Sequence, residues 1–151
     1  MDTEQPHRSY ITTVLSCRCP RCREGMLFKN SVSFRINRNM EMFERCITCG
    51  QPTDIEVGFY YGTSYISYLI AVVISTVTFL LWWLIIGFSF TDNRFFYWIS
   101  FNALFLIAMQ PWLMRFSRSL WISWFVRYNP EWKGKQPENY ERINKDQMNN
   151  W

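Results

Sequence analysis

Between Glu56 and Asp92 the chain carries no charged side chain, and a second interval without charge runs from Arg94 to Arg115. At 1.5 Å per residue, an apolar helix of about 20 residues crosses the roughly 30 Å hydrocarbon layer of a bilayer. Residues 65–88, which include ISYLIAVVISTVTFLLWWLIIGF, and residues 95–114, FFYWISFNALFLIAMQPWLM, are therefore expected to form two transmembrane helices. The mildly negative mean hydropathy of the whole chain averages over this sharp partition. A buried helical hairpin of a soluble domain normally keeps a polar face, and these stretches lack one. Aromatic residues mark the ends: Phe59, Tyr60, Tyr61, Tyr65 and Tyr68 with Trp112 at one interface, and Trp82, Trp83, Phe95, Phe96, Tyr97 and Trp98 toward the other.

The turn around Thr91, Asp92 and Asn93 makes the pair an antiparallel hairpin, so both termini share a side. Eight Lys or Arg residues precede the first helix and seven follow the second, while the connection holds only Arg94. Positive charge accumulates on cytoplasmic loops, which places both termini in the cytoplasm. The polar start MDTEQPHRSY has no apolar region of the kind a signal peptide needs. Along the first helix Thr63, Ser67, Ala71 and Ser75 recur at every fourth position, a small-residue stripe that lets another helix approach closely. The second helix is the expected partner, with dimerisation as a competing use; Ser100 and Ala103 offer small facing surfaces, and Asn102 and Gln110 offer hydrogen bonds. No acid, lysine or histidine within the spans suggests an ion relay.

Ahead of the helices stand two cysteine pairs, Cys19-Pro20-Arg21-Cys22 and Cys46-Ile47-Thr48-Cys49-Gly50. Two residues between cysteines let both thiolates of a tight turn face one ion, and two such turns complete a tetrahedral shell. So small a segment ordinarily needs a staple to fold. A reducing compartment also favours metal over disulfides. Zinc is the expected metal, held by Cys19, Cys22, Cys46 and Cys49; iron on the same four sulfurs is the alternative, because spacing does not separate them. Cys17 reads as an extra thiol outside the shell, and the basic neighbours Arg18, Arg21 and Arg23 are expected to lower thiol pKa values nearby. His7, near the terminus, reads as solvated.

Val32, Phe34 and Ile36 alternate with Ser33, Arg35 and Asn37, the period of a half-buried strand. With extended runs at 26–29 and 40–45, this predicts a three-stranded antiparallel sheet carrying the metal. The expected fold is thus an α+β membrane protein: a flexible N-terminus at 1–16, a zinc-ribbon-like head at 17–57, a transmembrane hairpin at 58–114, and two further segments. Residues 115–128 read as an amphipathic helix on the membrane surface, with Arg115, Arg118 and Arg127 on lipid headgroups. Residues 129–151 read as a polar, flexible tail.

The run Cys19-Pro20-Arg21-Cys22-Arg23-Glu24-Gly25-Met26-Leu27-Phe28, the pair Cys46 and Cys49 with Gly50, and Glu56-Val57-Gly58-Phe59-Tyr60-Tyr61-Gly62 before two apolar helices resemble domain-of-unknown-function family 983 of bacteria, in its Bacteroidetes-type variant. The resemblance covers most of residues 17–128. It implies a cytoplasmic-membrane protein with a zinc-ribbon-like head and two helices, and the occurrence of members near respiratory oxidase genes implies an accessory or assembly role.

The functional expectation is a noncatalytic inner-membrane accessory, adaptor or assembly protein whose partners are the lipid bilayer and another membrane protein or a second copy. An iron-sulfur-ligated or dithiol redox protein is the alternative. A membrane-tethered nucleic-acid binder, suggested by Arg18, Arg21, Arg23, Lys29, Arg35, Arg38 and Arg45 with Phe34, is less favoured, because positive charge beside a span has a topological origin. One histidine supports no Ser-His-acid set, and no Gly-rich phosphate loop is present, so no enzyme and no small-molecule substrate is expected.

Overall fold

The computed structural model describes residues 8–56, 58–87 and 92–137. His7 and Thr91, and the part of the tail after residue 137, lie outside the described residues. Two long helices dominate. A single 3-10 turn, Phe59–Gly62, leads into α3, Thr63–Ile86, and α4 runs from Arg94 to Phe125. Two short helices precede them, α1 at Tyr10–Leu15 and α2 at Ile36–Asn39. Both long helices are long and apolar enough to cross a membrane. Over their apolar stretches many side chains are not covered by protein: Leu84, Ile85 and Leu104 are 80%, 81% and 70% exposed. A helix belonging to a soluble core would bury such residues.

The two helices pack antiparallel through the small-residue stripe of α3. Ser67 Oγ lies 2.8 Å from Ser117 Oγ near one end. Farther along, Asn102 donates to Ser75 Oγ at 3.1 Å and accepts from Thr78 Oγ1 at 3.1 Å. Phe79 meets Trp98 edge to face at 5.0 Å. Thr63 instead turns back to donate to the carbonyl of Tyr60, and Ser100 is exposed and bonded to its own helix at Phe96. At the far end of α3, Gly87 adopts φ +80°, and Arg94 reaches back to the carbonyl of Ile86 at 2.8 Å, placing a cation at a helix C-terminus.

The expected break at residue 114 does not occur. Pro111 sits inside α4, and the helix continues for 14 residues past it to Phe125. Residues 115–125 are therefore the extension of the second long helix rather than a separate surface helix, and the head is wrapped around them. Arg115, Ser117, Ser119 and Ile122 are buried there. The two arginines of the stripe that reads as a membrane-surface face, Arg115 and Arg118, meet backbone carbonyls of the head.

The three-stranded sheet is not formed: among the described residues only isolated antiparallel bridges occur, Arg18 with Met26, Phe28 with Met42, and Arg45 with Pro52. Runs 26–29 and 40–45 do lie side by side, joined by Lys29 N–H to Glu41 O and Phe43 N–H to Leu27 O, each at 3.0 Å. The third run fails because the apolar members of its alternation have no core to enter: Phe34 is 70% exposed, and α2 begins at Ile36. The ends differ as well. Residues 10–15 are helical rather than free, with Tyr10 Oη 2.8 Å from Ser123 Oγ. Residues 129–135 are tied to the head by Asn129 N–H to Arg21 O and by Arg21 to Lys135 O.

The Gly58-Phe59-Tyr60-Tyr61-Gly62 run is the seam between head and helices. Gly58 takes φ +78°, a left-handed conformation in which a side chain is strained. Phe59 is buried against Trp121 and Phe125, and Trp121 Nε1 donates to its carbonyl at 2.8 Å. Tyr60 donates to Thr53 O at 2.5 Å. A Cβ on Gly62 would collide with the indole of Trp121. Replacing Gly62 by Leu is accordingly expected to displace Trp121 and to lower the thermal midpoint of the detergent-solubilised protein, with a stability loss of about 1–3 kcal/mol from overpacking; an unchanged midpoint and tryptophan emission would contradict this seam.

Candidate metal centre

The two cysteine pairs build the same local structure twice. In the first, Arg23 N–H donates to Cys19 O at 2.8 Å and Arg23 adopts φ +60°; in the second, Gly50 N–H donates to Cys46 O at 2.9 Å and Gly50 adopts φ +69°. Each pair is thus a tight turn closed by a left-handed residue directly after its second cysteine. Glycine takes that conformation freely; arginine incurs a penalty of about 1 kcal/mol or more. Arg23 is held by its environment, with its guanidinium 4.2 Å above the Tyr128 ring and bonded to Arg8 O.

The turns face one another. Cys19 Sγ lies 3.7 Å from Cys49 Sγ and Cys22 Sγ lies 3.8 Å from Cys46 Sγ. All four sulfurs fall within 4.8 Å of one another. A tetrahedron with metal–sulfur bonds of about 2.3 Å has sulfur–sulfur edges of about 3.8 Å, so these separations match a four-thiolate metal shell. They are far too long for disulfides, whose sulfurs stand about 2.05 Å apart. Cys19, Cys22 and Cys46 are buried, and Cys49 is partly exposed.

Packed this closely, the four thiols perturb one another strongly. Cys46 is driven well below the usual thiol range by hydrogen bonds from Cys19, then Cys22 and Cys49. Cys19 is pushed well above it by hydrogen bonding to Cys22, Cys46 and Cys49 and by burial. Four thiolates this close repel one another, and a bound cation offsets that repulsion. Gly25 N–H points at Cys22 Sγ, 3.4 Å away, a donor suited to a thiolate. A Cβ on Gly25 would overlap Cys46 Sγ. Gly25→Ala is therefore expected to weaken metal retention by one to two orders of magnitude, read by competition with a chromogenic chelator; unchanged retention would contradict the packing.

Cys17 is not part of the shell. It is half-buried, has φ +52°, and lines an apolar groove with Leu15, Val32, Trp112 and Leu113. Burial pushes its thiol up to about 11, only partly opposed by Arg115. The thiol is thus raised rather than lowered as the basic neighbours in sequence suggest, because desolvation dominates.

The arginines expected on lipid headgroups divide into two kinds. Arg115 is 7% exposed: its Nε donates to Asn39 O at 3.0 Å, and its Nη2 to Asn30 O at 2.8 Å and Ser31 O at 2.9 Å. Its guanidinium also lies 4.7 Å over the ring of Phe28. Arg118 donates to Met40 O at 3.1 Å and stacks 4.8 Å over Tyr60. Both therefore clamp the head to α4 rather than face headgroups, while Arg127 is exposed. Asn39, 1% exposed, completes the clamp by donating to Pro111 O at 3.0 Å. Neither Asn39 nor Arg21, whose Nη1 donates to Cys49 O at 3.2 Å, stands out in the sequence as a structural residue, since nothing local signals a distant carbonyl.

The hydrophobic residues behind the cysteines come from both parts of the chain. Leu27, Phe28 and Ile55 of the head form one cluster with Phe59, Ile122 and Val126. The candidate metal centre thus stands beside the last turn of α4, roughly 12–18 Å beyond Met114 along the helix axis. Comparison with protein-family models, with curated proteins and with solved structures finds no match.

Proposed function

We propose that this chain is a noncatalytic accessory or adaptor protein of the bacterial cytoplasmic membrane, a member of the family 983 it resembles, which holds a zinc-loaded head at a fixed height over the bilayer for a larger membrane complex to bind. The observation that carries the reading is the junction of head and helix. Arg115, Arg118 and Asn39 bond the head to α4 across more than 70 residues of sequence, and the cysteine cluster shares its hydrophobic support with Ile122 and Val126. Such a lock fixes the position of the head relative to α4, as a docking platform requires. Zinc fits a closed four-thiolate shell with no open position, the form of a structural site. The excess of Lys and Arg at the head end sets both termini in the cytoplasm in this reading.

The test is purification from native membranes in mild detergent, with metal analysis and crosslinking on the same sample. One zinc per chain together with a reproducible membrane-protein partner is the expected result. A partner-free monomer would overturn the adaptor role. Iron with visible charge-transfer absorption would favour the redox alternative.

A further inference from the structure

The head carries an apolar edge that its own core does not use. Leu15, Phe34 and Ile36 are 63%, 70% and 62% exposed, and Val32 is exposed beside them. These residues belong to two separate segments, yet they face the same stretch of the long helices. Leu15 and Val32 line a groove with Ile70, Ile74 and Met109, while Phe34 and Ile36 line one with Leu106, Ile107 and Met114. Leu106 to Met109 lie within the interval without charge, six to nine residues before Arg115, or roughly 9–14 Å along the axis. The edge is continuous with the lipid-facing surface of α3 and α4.

We infer that Leu15, Val32, Phe34 and Ile36 form a wedge that enters the acyl layer of the head-side leaflet of a phospholipid bilayer, with Arg35 and Arg38 at the level of the phosphates. The inference rests on the reading of α3 and α4 as membrane spans. Apolar side chains alone do not suffice for insertion, because lipid offers nothing to unpaired backbone groups. Here much of that requirement is met internally. Arg115 takes the carbonyls of Asn30 and Ser31; Ser33 N–H is held by Asn39 Oδ1 at 3.1 Å, and Arg35 N–H by Ser33 Oγ at 3.3 Å. The carbonyls of Arg35 and Ile36 accept from Asn39 and Met40 in the turn of α2. Arg35 and Arg38 are exposed on the same segment, and long cationic side chains reach the phosphate plane while their neighbours stay in the apolar layer. The period-two alternation of residues 32–36 then has its physical cause: the apolar face meets acyl chains and the polar face, Ser33 and Arg35, stays with the backbone bonds and the phosphates.

The test uses the full, metal-loaded chain in vesicles of phosphatidylcholine and phosphatidylglycerol that contain a lipid nitroxide-labelled on the acyl chain. A fluorescent amino acid replaces, one at a time, Phe34, the helix residue Leu84, or Glu131, which is 70% exposed. Metal content confirms that each variant is folded. Emission from positions 34 and 84 is expected to be quenched severalfold more by the lipid nitroxide than emission from position 131, and severalfold less by aqueous iodide. If position 84 is quenched by lipid while position 34 behaves like position 131, the wedge is wrong and the spans stand. If neither is quenched by lipid, both readings fall.

Discussion

Stripping the metal with a strong chelator is expected to unfold the head while leaving the two long helices intact. Structural zinc contributes about 10–16 kcal/mol of apparent binding free energy in peptide systems, more than the few kcal/mol a core of this size supplies. Among the described residues the head has no sheet ladder to fall back on, only isolated bridges, and three of the four candidate ligands belong to its buried cluster. Loss of amide-exchange protection across residues 17–56, with α3 protected as before, is the expected pattern. Cys46→Ser should reproduce it without chelator. Retained protection in metal-free protein would show that burial alone folds the head, and would remove the reason to assign a structural metal.

Replacing Arg115 by Met is expected to release the head from α4. Three head carbonyls lose their donor; at about 1–3 kcal/mol for each unsatisfied buried acceptor, the loss is roughly 3–6 kcal/mol after partial access of water. Arg115→Lys should recover little, because an ammonium lacks the planar fork that reaches Asn39 through Nε and Asn30 and Ser31 through Nη2. Limited proteolysis in detergent measures the outcome: cleavage within residues 30–40 should accelerate by at least tenfold in both variants, while bound metal stays stoichiometric. Metal retention separates this effect from unfolding of the cysteine turns. Wild-type resistance in Arg115→Met would mean that the hydrophobic cluster alone holds the junction, and would weaken the rigid-platform reading.

Arg115 also shows where reading the chain in one dimension stops. On a helical projection Arg115 and Arg118 belong to a polar face, and a polar face next to a span suggests water and headgroups. The same face buries equally well against backbone carbonyls, provided another segment supplies them. That segment, residues 30–40, lies about 75 positions earlier, and no local pattern encodes the meeting. The expected end of the span at residue 114 fails for a related reason: α4 runs on to Phe125 because a distant segment covers its continuation. The alternation at residues 32–36 is a true period, but periodicity reports only that two faces differ and does not tell a protein core from lipid.

The determinants legible in the chain itself are those that depend on neighbours along it. Absence of charge over a bilayer's thickness fixes the two long helices, two-residue spacing fixes each cysteine turn, and a stripe at every fourth position brings Ser67 and Ser75 to α4. The chain also suggests that both turns share one ion and leave Cys17 outside. Tertiary structure alone decided that the head closes around the extended end of α4 instead of hanging from it, through Arg115, Arg118 and Asn39. The physical reason is that a buried arginine or thiol is satisfied by whichever carbonyls or sulfurs the folded chain brings within about 3–4 Å, and those partners are set by packing rather than by proximity in sequence.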